Sequence, residues 1–241
     1  MNNLSKLVAE AIGTFILCFI GAGAICMATM KGAGYEGLLG IAVAHGIALS
    51  VAVSATMGVS GGHVNPAVTV GLLLTKRISL PDAIAYIVAQ LAGATLAGVL
   101  VLAIFKGMVT ADGASVVETA GLGTPAFDAD TLTMGKAILI EAVLTFLLVT
   151  AVFGTAVDPR APKIGGFGIG LIICADILVG GPLTGAAMNP ARTFGPGIVA
   201  FFSGNLPAFW SQHAVYWLGP IIGGGIAALV YDTFIMPKQS S

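Results

Sequence analysis

Charge is scarce in this sequence. Charged residues make up 9% of the 241 residues, where a soluble domain carries about a quarter, and the formal net charge at pH 7 is −1. Runs of lysine and arginine are also missing, so no nucleic-acid partner is expected. Because 57% of the residues are hydrophobic and the mean hydropathy is +1.00, the composition indicates a protein embedded in a lipid bilayer.

Cysteine is scarce as well. Cys18, Cys26 and Cys174 form no CxxC pair and have no histidine close by in the sequence, which indicates small buried side chains rather than a disulfide framework or a metal site. The sequence also lacks a Ser-His-Asp set, a phosphate-binding glycine loop and a cluster of metal ligands. We therefore expect no enzyme activity, no metal and no cofactor.

Long hydrophobic stretches dominate what is present. Six of them can cross a hydrocarbon core of about 30 Å as helices: about 7–30, 38–57, 83–105, 135–157, 165–179 with a few further residues, and 214–235. Most cationic residues outside them fall on one side, namely Lys6, Lys76, Arg77, Arg160, Lys163 and Lys238, against Lys31, Lys106 and Lys136 near the other. The positive-inside rule then places both termini in the cytoplasm.

Two segments of the chain repeat each other. The segment 58–71 reads GVSGGHVNPAVTVG and the segment 182–195 reads PLTGAAMNPARTFG, and they align without a gap at an offset of 189 − 65 = 124. This agreement indicates a duplicated unit. Each copy holds three spans, an odd number, so the second copy is inverted in the membrane. We expect one transmembrane domain over 1–241, with repeat 1 at about 5–105, an outer connecting loop at about 106–133 and repeat 2 at about 134–236.

A short helix is predicted to begin at each Asn-Pro pair. Asn65 and Asn189 suit the N-cap because the side-chain oxygen accepts a backbone N–H, and Pro66 and Pro190 suit the first helical position. The first of these helices ends near Thr75, so its length of about 15 Å is half of what a span requires. Two half-helices entering from opposite faces place their positive dipole ends at the midplane.

Two Asn-Pro-Ala boxes, Arg192 directly after the second, and Glu10 and Glu141 in the first and fourth spans resemble the aquaporin (major intrinsic protein) family. The resemblance implies an all-α membrane protein, an inverted repeat of six transmembrane helices plus two re-entrant half-helices around a pore. It implies a passive water channel and a homotetramer with one pore per subunit. The boxes that meet in the pore are then Asn65, Pro66, Ala67, Asn189, Pro190 and Ala191.

The family's selectivity filter, carried over by position, falls on His45, Ile177, Ala186 and Arg192. This set departs from that of strict water channels and is similar to that of plant tonoplast intrinsic proteins. Because Ile177 is apolar and Ala186 is small, ammonia, urea and hydrogen peroxide are candidate solutes beside water. Thr193 stands where a glycerol facilitator of the family typically has Asp, which favours water over glycerol. A glycerol or multi-solute facilitator and a structural membrane protein with a closed pore are the alternatives.

Several further residues carry expectations. Glu10 and Glu141 are expected to accept backbone N–H groups of the two re-entrant loops, and His63 to anchor the first loop, with a pH-dependent gate as the alternative. Phe127 resembles a loop residue that lines the filter mouth in some tonoplast members. Asp176 lies about 100° around its helix from Ile177, so we expect it to face protein rather than pore.

A cell membrane is the expected location, with a vacuolar membrane as the alternative.

Overall fold

The computed structural model describes residues 3–32, 35–206 and 209–236, and Lys238 therefore lies outside the described residues. Within these ranges the chain is helical, and its ten α-helices run in the following order. They are α1 (Asn3–Lys31), α2 (Tyr35–Ser60), α3 (Pro66–Leu74), α4 (Leu80–Phe105), α5 (Val116–Thr119), α6 (Met134–Val152), α7 (Phe167–Thr184), α8 (Pro190–Phe202), α9 (Phe209–His213) and α10 (Val215–Val230).

Six of the described helical segments are long and apolar enough to cross a membrane, which confirms the predicted spans and the predicted fold class. Four of them are α1, α2 from Gly37 onward, α4 and α7. The fourth and sixth spans, Met134–Val157 and Phe209–Ile235, continue α6 and α10 through one wide helical turn each, at Phe153–Val157 and Tyr231–Ile235. The half-helices α3 and α8 follow the second and fifth spans, as the sequence predicts.

Local sequence explains where the helices begin and end. Ser79 caps α4 by accepting a hydrogen bond from the Asp82 N–H, and Thr133 caps α6 in the same way. Helix α7 ends at Gly185, whose φ of 78° lies in the left-handed region. A Cβ at Gly185 would also stand 2.8 Å from the Cα of Pro125, so glycine lets the outer loop lie directly over the end of the fifth span.

The two repeats interlock through their half-helices. Helix α1 packs on α2 and α4, and α6 packs correspondingly on α7 and α10. Each half-helix, however, crosses over: α3 packs on α10 and α8 packs on α4. Glycine permits the closest helix approaches at matching places, since a Cβ on Gly93 would overlap the Ala11 carbonyl and a Cβ on Gly223 would overlap the Ala142 carbonyl. Neither half of the fold is therefore closed without the other.

Ion pairs tie together the loops on the side that the charge pattern assigns to the cytoplasm. Arg77, after α3, lies 2.7 Å from Asp232 at the end of the sixth span. Arg160 pairs with Asp158 at 2.6 Å and donates to the Ile235 carbonyl at 3.0 Å. Hydrogen bonds from Arg160 hold the pKa of Asp158 at about 2. The loops that follow α3 and α6 are thus both fixed to the end of the last span.

Candidate pore and its constriction

The two half-helices begin at the asparagines of the two boxes. Asn65 has an extended backbone, and its Oδ1 accepts the Ala67 N–H at 2.8 Å. Asn189 caps α8 equivalently, accepting from Ala191 N at 3.0 Å and from Arg192 N at 3.3 Å. The proline that follows each asparagine begins its helix. The predicted helix starts are therefore confirmed at both places.

The side-chain amides of the two asparagines cross from one repeat to the other. Asn65 Nδ2 donates to the Met188 carbonyl at 2.8 Å, and Asn189 Nδ2 donates to the Val64 carbonyl at 3.0 Å. Val64 and Met188 adopt φ values of 55° and 52°, a left-handed conformation that costs about 1–3 kcal/mol for such residues. This backbone turn aims each carbonyl at the opposite asparagine. One N–H of each amide is thereby used, and one N–H of each remains.

Two buried carboxylates hold the loops that lead into the half-helices. Glu10 accepts from the backbone N–H of His63 at 3.0 Å and of Val64 at 2.7 Å, and Glu141 accepts from Ala187 N at 3.0 Å and Met188 N at 2.8 Å. Both glutamates are fully buried. Loop N–H groups without helical partners at membrane depth need such acceptors, so these carboxylates determine the paths of both loops.

His63 is held within the first loop. Its Nδ1 lies 3.1 Å from Thr69 Oγ1, while the Thr69 hydroxyl donates to the Asn65 carbonyl at 3.0 Å. The hydroxyl proton is thus already committed, so His63 Nδ1 acts as the donor. The ring also meets the edge of Tyr86, with 5.0 Å between centroids. These contacts are those of an anchor, and His63 additionally lines the pore cavity.

The four residues assigned to the filter lie around one cavity, and all of them are buried. His45 Nδ1 donates to the Ile41 carbonyl at 2.8 Å, because a carbonyl can only accept. In the neutral ring Nε2 is then an acceptor, and it receives Arg192 Nη2 at 3.1 Å. Gly21 makes room for this ring, since a Cβ there would overlap Nε2.

Gly123, in the loop that joins the two repeats, is a second partner of Arg192 and was not predicted from the sequence. Its carbonyl accepts from Arg192 Nη1 at 3.1 Å. Gly123 has a φ of 71°, and a Cβ there would stand 2.6 Å from the Ala22 Cα, so the loop can press against α1 only with glycine at this position. The two glycines in the run Gly121-Leu-Gly123 indicate a tight turn in the sequence, but they do not show which backbone carbonyl accepts from Arg192.

The cavity extends from His45 and Arg192 past the two asparagines to His63, Val152 and Ile169. The lining combines a few polar side chains with many apolar ones. The polar side chains are His45, His63, Asn65, Asn189 and Arg192, and the large apolar ones include Leu17, Leu49, Val53, Val68, Leu148, Val152, Ile169, Ile173 and Ile177. On the side of the loop that joins the two repeats, a wider vestibule also touches His45, Ile177 and Arg192. These three residues therefore mark the boundary between vestibule and pore.

The structure places Phe127 away from the filter mouth, which corrects the expectation from the sequence. Its buried side chain packs with Ala187, Val215 and Tyr216, while its neighbours Pro125 and Ala126 line the vestibule. The reason is a clamp: the Gln212 amide donates to the Phe127 carbonyl at 2.7 Å and accepts the Phe127 N–H at 3.1 Å.

Asp176 is buried in α7 and does not line the pore cavity. Its Oδ2 has no hydrogen-bond partner among the residues that the structure describes. A buried oxygen without a partner costs about 1–3 kcal/mol, so the side chain next to Ile177 in the sequence lowers the stability of α7.

Comparisons with known proteins agree with this geometry. A family model described as "Major intrinsic protein" matches residues 1–231. "Aquaporin TIP4-4" of Zea mays is 46% identical over 239 residues, which cover 96% of this chain and 86% of that protein. "Probable aquaporin TIP3-2" of Arabidopsis thaliana is 42% identical over 250 residues, covering 98% and 86%. The aquaglyceroporin of Plasmodium falciparum superposes with a TM-score of 0.85 over 97% of each chain at 23% identity, which shows the fold.

Proposed function

The chain belongs to the major intrinsic protein family, and we infer from its pore that it is a passive transmembrane water channel. The observation that carries this inference is the single cavity that joins the His45–Arg192 pair to the amides of Asn65 and Asn189. A structural protein with a retired pore has no need of this arrangement.

The pore centre is suited to orient water. Each asparagine keeps one amide N–H after the cross-repeat bond, and the positive ends of α3 and α8 meet there. A water molecule at the centre accepts these hydrogens through its oxygen, because the asparagine amides are donors and most of the remaining lining is apolar. Its own hydrogens then point along the pore in opposite directions. The file of hydrogen bonds is interrupted there, and the positive potential opposes protons and other cations.

The filter presents donors rather than acceptors. Both ring nitrogens of His45 are occupied, by the Ile41 carbonyl and by Arg192. Arg192 carries five N–H groups and uses two of them on His45 and Gly123, so three remain. We propose that small neutral molecules with an acceptor atom, such as ammonia, urea and hydrogen peroxide, pass beside water. Ile177 and Ala186 provide the apolar side of the opening.

The proteoliposome assay for this function separates the alternatives. Stopped-flow light scattering measures osmotic shrinkage, re-swelling in urea and in glycerol measures solute entry, and an internal pH dye measures ammonia. We expect fast shrinkage with ammonia and urea entry and slow glycerol entry. Fast glycerol entry would favour the multi-solute facilitator, and shrinkage no faster than in empty vesicles would favour the closed structural protein.

We propose that one channel domain spans 1–241, with repeats at about 5–105 and 134–236 joined by an outer loop at about 106–133. The interlocked half-helices support this division, since α3 packs on α10 and α8 on α4. The chain is a multi-pass membrane protein. We propose a cell membrane with both termini in the cytoplasm, and a vacuolar membrane as the alternative that the tonoplast-like filter favours. Fractionation of the two membranes tests this.

We further propose a homotetramer with one pore per subunit. Large apolar side chains stand exposed on several spans, for example Leu139 on α6, Leu171 and Val179 on α7 and Leu218 on α10. Lipid and neighbouring subunits can both cover such surfaces, and the family resemblance favours a tetramer. The mass of the protein in lipid nanodiscs tests this: a monomeric mass would overturn the tetramer without affecting the channel.

A further inference from the structure

A second polar pocket lies on the outer side of the protein, beside the vestibule but apart from the pore cavity. Its polar lining residues are Thr193, Gln212, His213 and Tyr216. We propose that this pocket binds a small neutral hydrogen-bonding molecule, that its occupant is water, and that the bound water joins Thr193 to His213. This site goes beyond the transport function, because none of the four residues lines the pore cavity.

Thr193 supplies the first unpartnered polar atom. It is 1% exposed, and its Oγ1 has no partner among the described residues. The equivalent hydroxyl in repeat 1, on Thr69, donates to the Asn65 carbonyl at 3.0 Å and receives hydrogen bonds from His63 and Gln90.

Repeat 2 lacks these partners. At the repeat offsets of 124 and 130, His63 and Gln90 correspond to Ala187 and Pro220. Neither alanine nor proline has a hydrogen-bonding side chain. Repeat 2 thus keeps the threonine but loses both groups that satisfy it in repeat 1.

His213 supplies the second unpartnered atom. Trp217 Nε1, which can only donate, lies 2.9 Å from His213 Nε2. Nε2 is therefore the acceptor, and the proton of the neutral ring is on Nδ1. His213 is 8% exposed, and Nδ1 has no partner within the described ranges. The ring is otherwise surrounded by Phe194, Phe209 and Trp210.

The chemistry of the pocket selects a neutral molecule that both donates and accepts. The lining residues carry no formal charge, so the pocket offers no counter-charge to an ion. The other polar side chains are committed: Tyr216 donates to the Thr184 carbonyl at 2.8 Å, and Gln212 holds the backbone of Phe127. A buried water needs two to four polar partners, and Thr193 Oγ1 with His213 Nδ1 supplies two.

The position of the pocket gives the bound water a structural consequence. Thr193 follows Arg192 in the first turn of α8, and His213 ends the short helix α9 in the first turn of the last span. A water between them therefore braces the turn that carries the filter arginine against the outer end of the sixth span.

A double-mutant cycle on the full chain in detergent tests this bridge. Thr193→Val removes the hydroxyl at nearly constant size. His213→Gln removes the Nδ1 donor, and the oxygen of the glutamine amide can still accept the Trp217 N–H. We expect each variant to lower the apparent melting temperature, and the double variant to lose no more than the larger single loss. Additive losses would overturn the proposal: within the described ranges the two side chains share no direct hydrogen bond, so only a bridging molecule can couple their losses.

The matched control is Thr95→Val, which removes another threonine hydroxyl, bonded to the Leu91 carbonyl at 2.8 Å. The fall in melting temperature caused by Thr95→Val should add to the fall caused by Thr193→Val. A high-resolution structure of the wild-type protein gives the second readout: we expect density for an ordered molecule within hydrogen-bond distance of Thr193 Oγ1 and His213 Nδ1. An empty pocket overturns the proposal even if the two variants are coupled. Osmotic shrinkage of Thr193→Val vesicles that is faster than that of empty vesicles keeps this outcome separate from the channel function.

Discussion

Replacing Asn189 with aspartate tests the role assigned to the pore centre. The carboxylate can still cap α8, since one oxygen keeps the place of Oδ1 next to Ala191 N and Arg192 N. The other oxygen takes the place of Nδ2, which donates to the Val64 carbonyl at 3.0 Å. Among the described residues, the donor that then remains for this carbonyl is the Thr14 hydroxyl, at 3.4 Å. The lost bond should cost about 1–3 kcal/mol of stability.

The effect on selectivity should be larger. A unit negative charge about 4 Å from a passing cation lowers the energy of that cation by about 4 kcal/mol at an effective dielectric constant near 20. At about 1.4 kcal/mol per factor of ten, this is roughly a 1,000-fold gain in cation or proton leak. The assay combines osmotic shrinkage with an internal pH dye after an external acid step. We expect Asn189→Asp vesicles to acidify much faster than wild-type vesicles.

Asn189→Ser separates the charge from the lost bond. Serine also caps helices well but is neutral, and it is too short to replace the donor to the Val64 carbonyl. The Asn189→Ser protein should therefore lose as much stability as Asn189→Asp, while its vesicles should remain as tight to protons as wild-type vesicles. If Asn189→Asp vesicles conduct water and remain as proton-tight as the wild type, the electrostatic reasoning for the pore centre is refuted.

Four further changes have defined outcomes. Ile177→His narrows the filter and adds polarity, so urea uptake should fall by roughly 10-fold or more while osmotic shrinkage continues; unchanged urea uptake would contradict the assigned opening. Arg192→Val removes the filter cation, so vesicles should keep water flow and admit urea faster than the wild type, and a slower urea rate would count against its role. Asp176→Asn removes the charge of a buried side chain whose Oδ2 is unpaired, so thermal melting should show equal or higher stability with unchanged shrinkage. Asp158→Asn should melt at a lower temperature than the wild type, by a constant difference from pH 8 to pH 5, because Arg160 holds the pKa of Asp158 at about 2. The difference should shrink as the pH falls from about 4, the pKa of the unfolded carboxyl, towards 2. A difference that vanishes by pH 5 would contradict this pKa.

Much of the fold was accessible from the sequence because membrane helices depend on local properties. Hydrophobic length located the six spans, and Asn65 and Asn189 followed by proline located the half-helices, since capping and proline act within one helical turn. The hydrogen bonds from the two asparagine amides to the opposite repeat could not be predicted from the sequence. They depend on Val64 and Met188 adopting positive φ, which β-branched or bulky side chains disfavour and only the assembled loops enforce.

The environment of the filter arginine was predicted only in part. The alignment of repeats and the family resemblance identified Arg192 and His45, but the third member, the Gly123 carbonyl, comes from a loop 69 residues away in the sequence. Backbone carbonyls have no residue-specific signal. The prediction for Phe127 was wrong for a related reason. The hydrogen bond from Gln212 that holds the Phe127 backbone joins residues 85 positions apart in the sequence, and no local pattern encodes such a contact.

The reciprocal bonds at the pore centre also bear on how such a chain is made. During synthesis the first half is present before the second. Until Met188 and Asn189 are made, the Asn65 amide lacks its acceptor, and the Val64 carbonyl has only the Thr14 hydroxyl, at 3.4 Å, among the described residues. A chain truncated after the first half therefore leaves these polar groups poorly satisfied in the bilayer, at up to several kcal/mol each. Two copies of one half inserted in opposite orientations would offer each other the same donor and acceptor. A half-length chain that enters the membrane both ways is therefore sufficient for these two bonds, whereas Arg192, which aligns with Val68, had to arise in one copy alone.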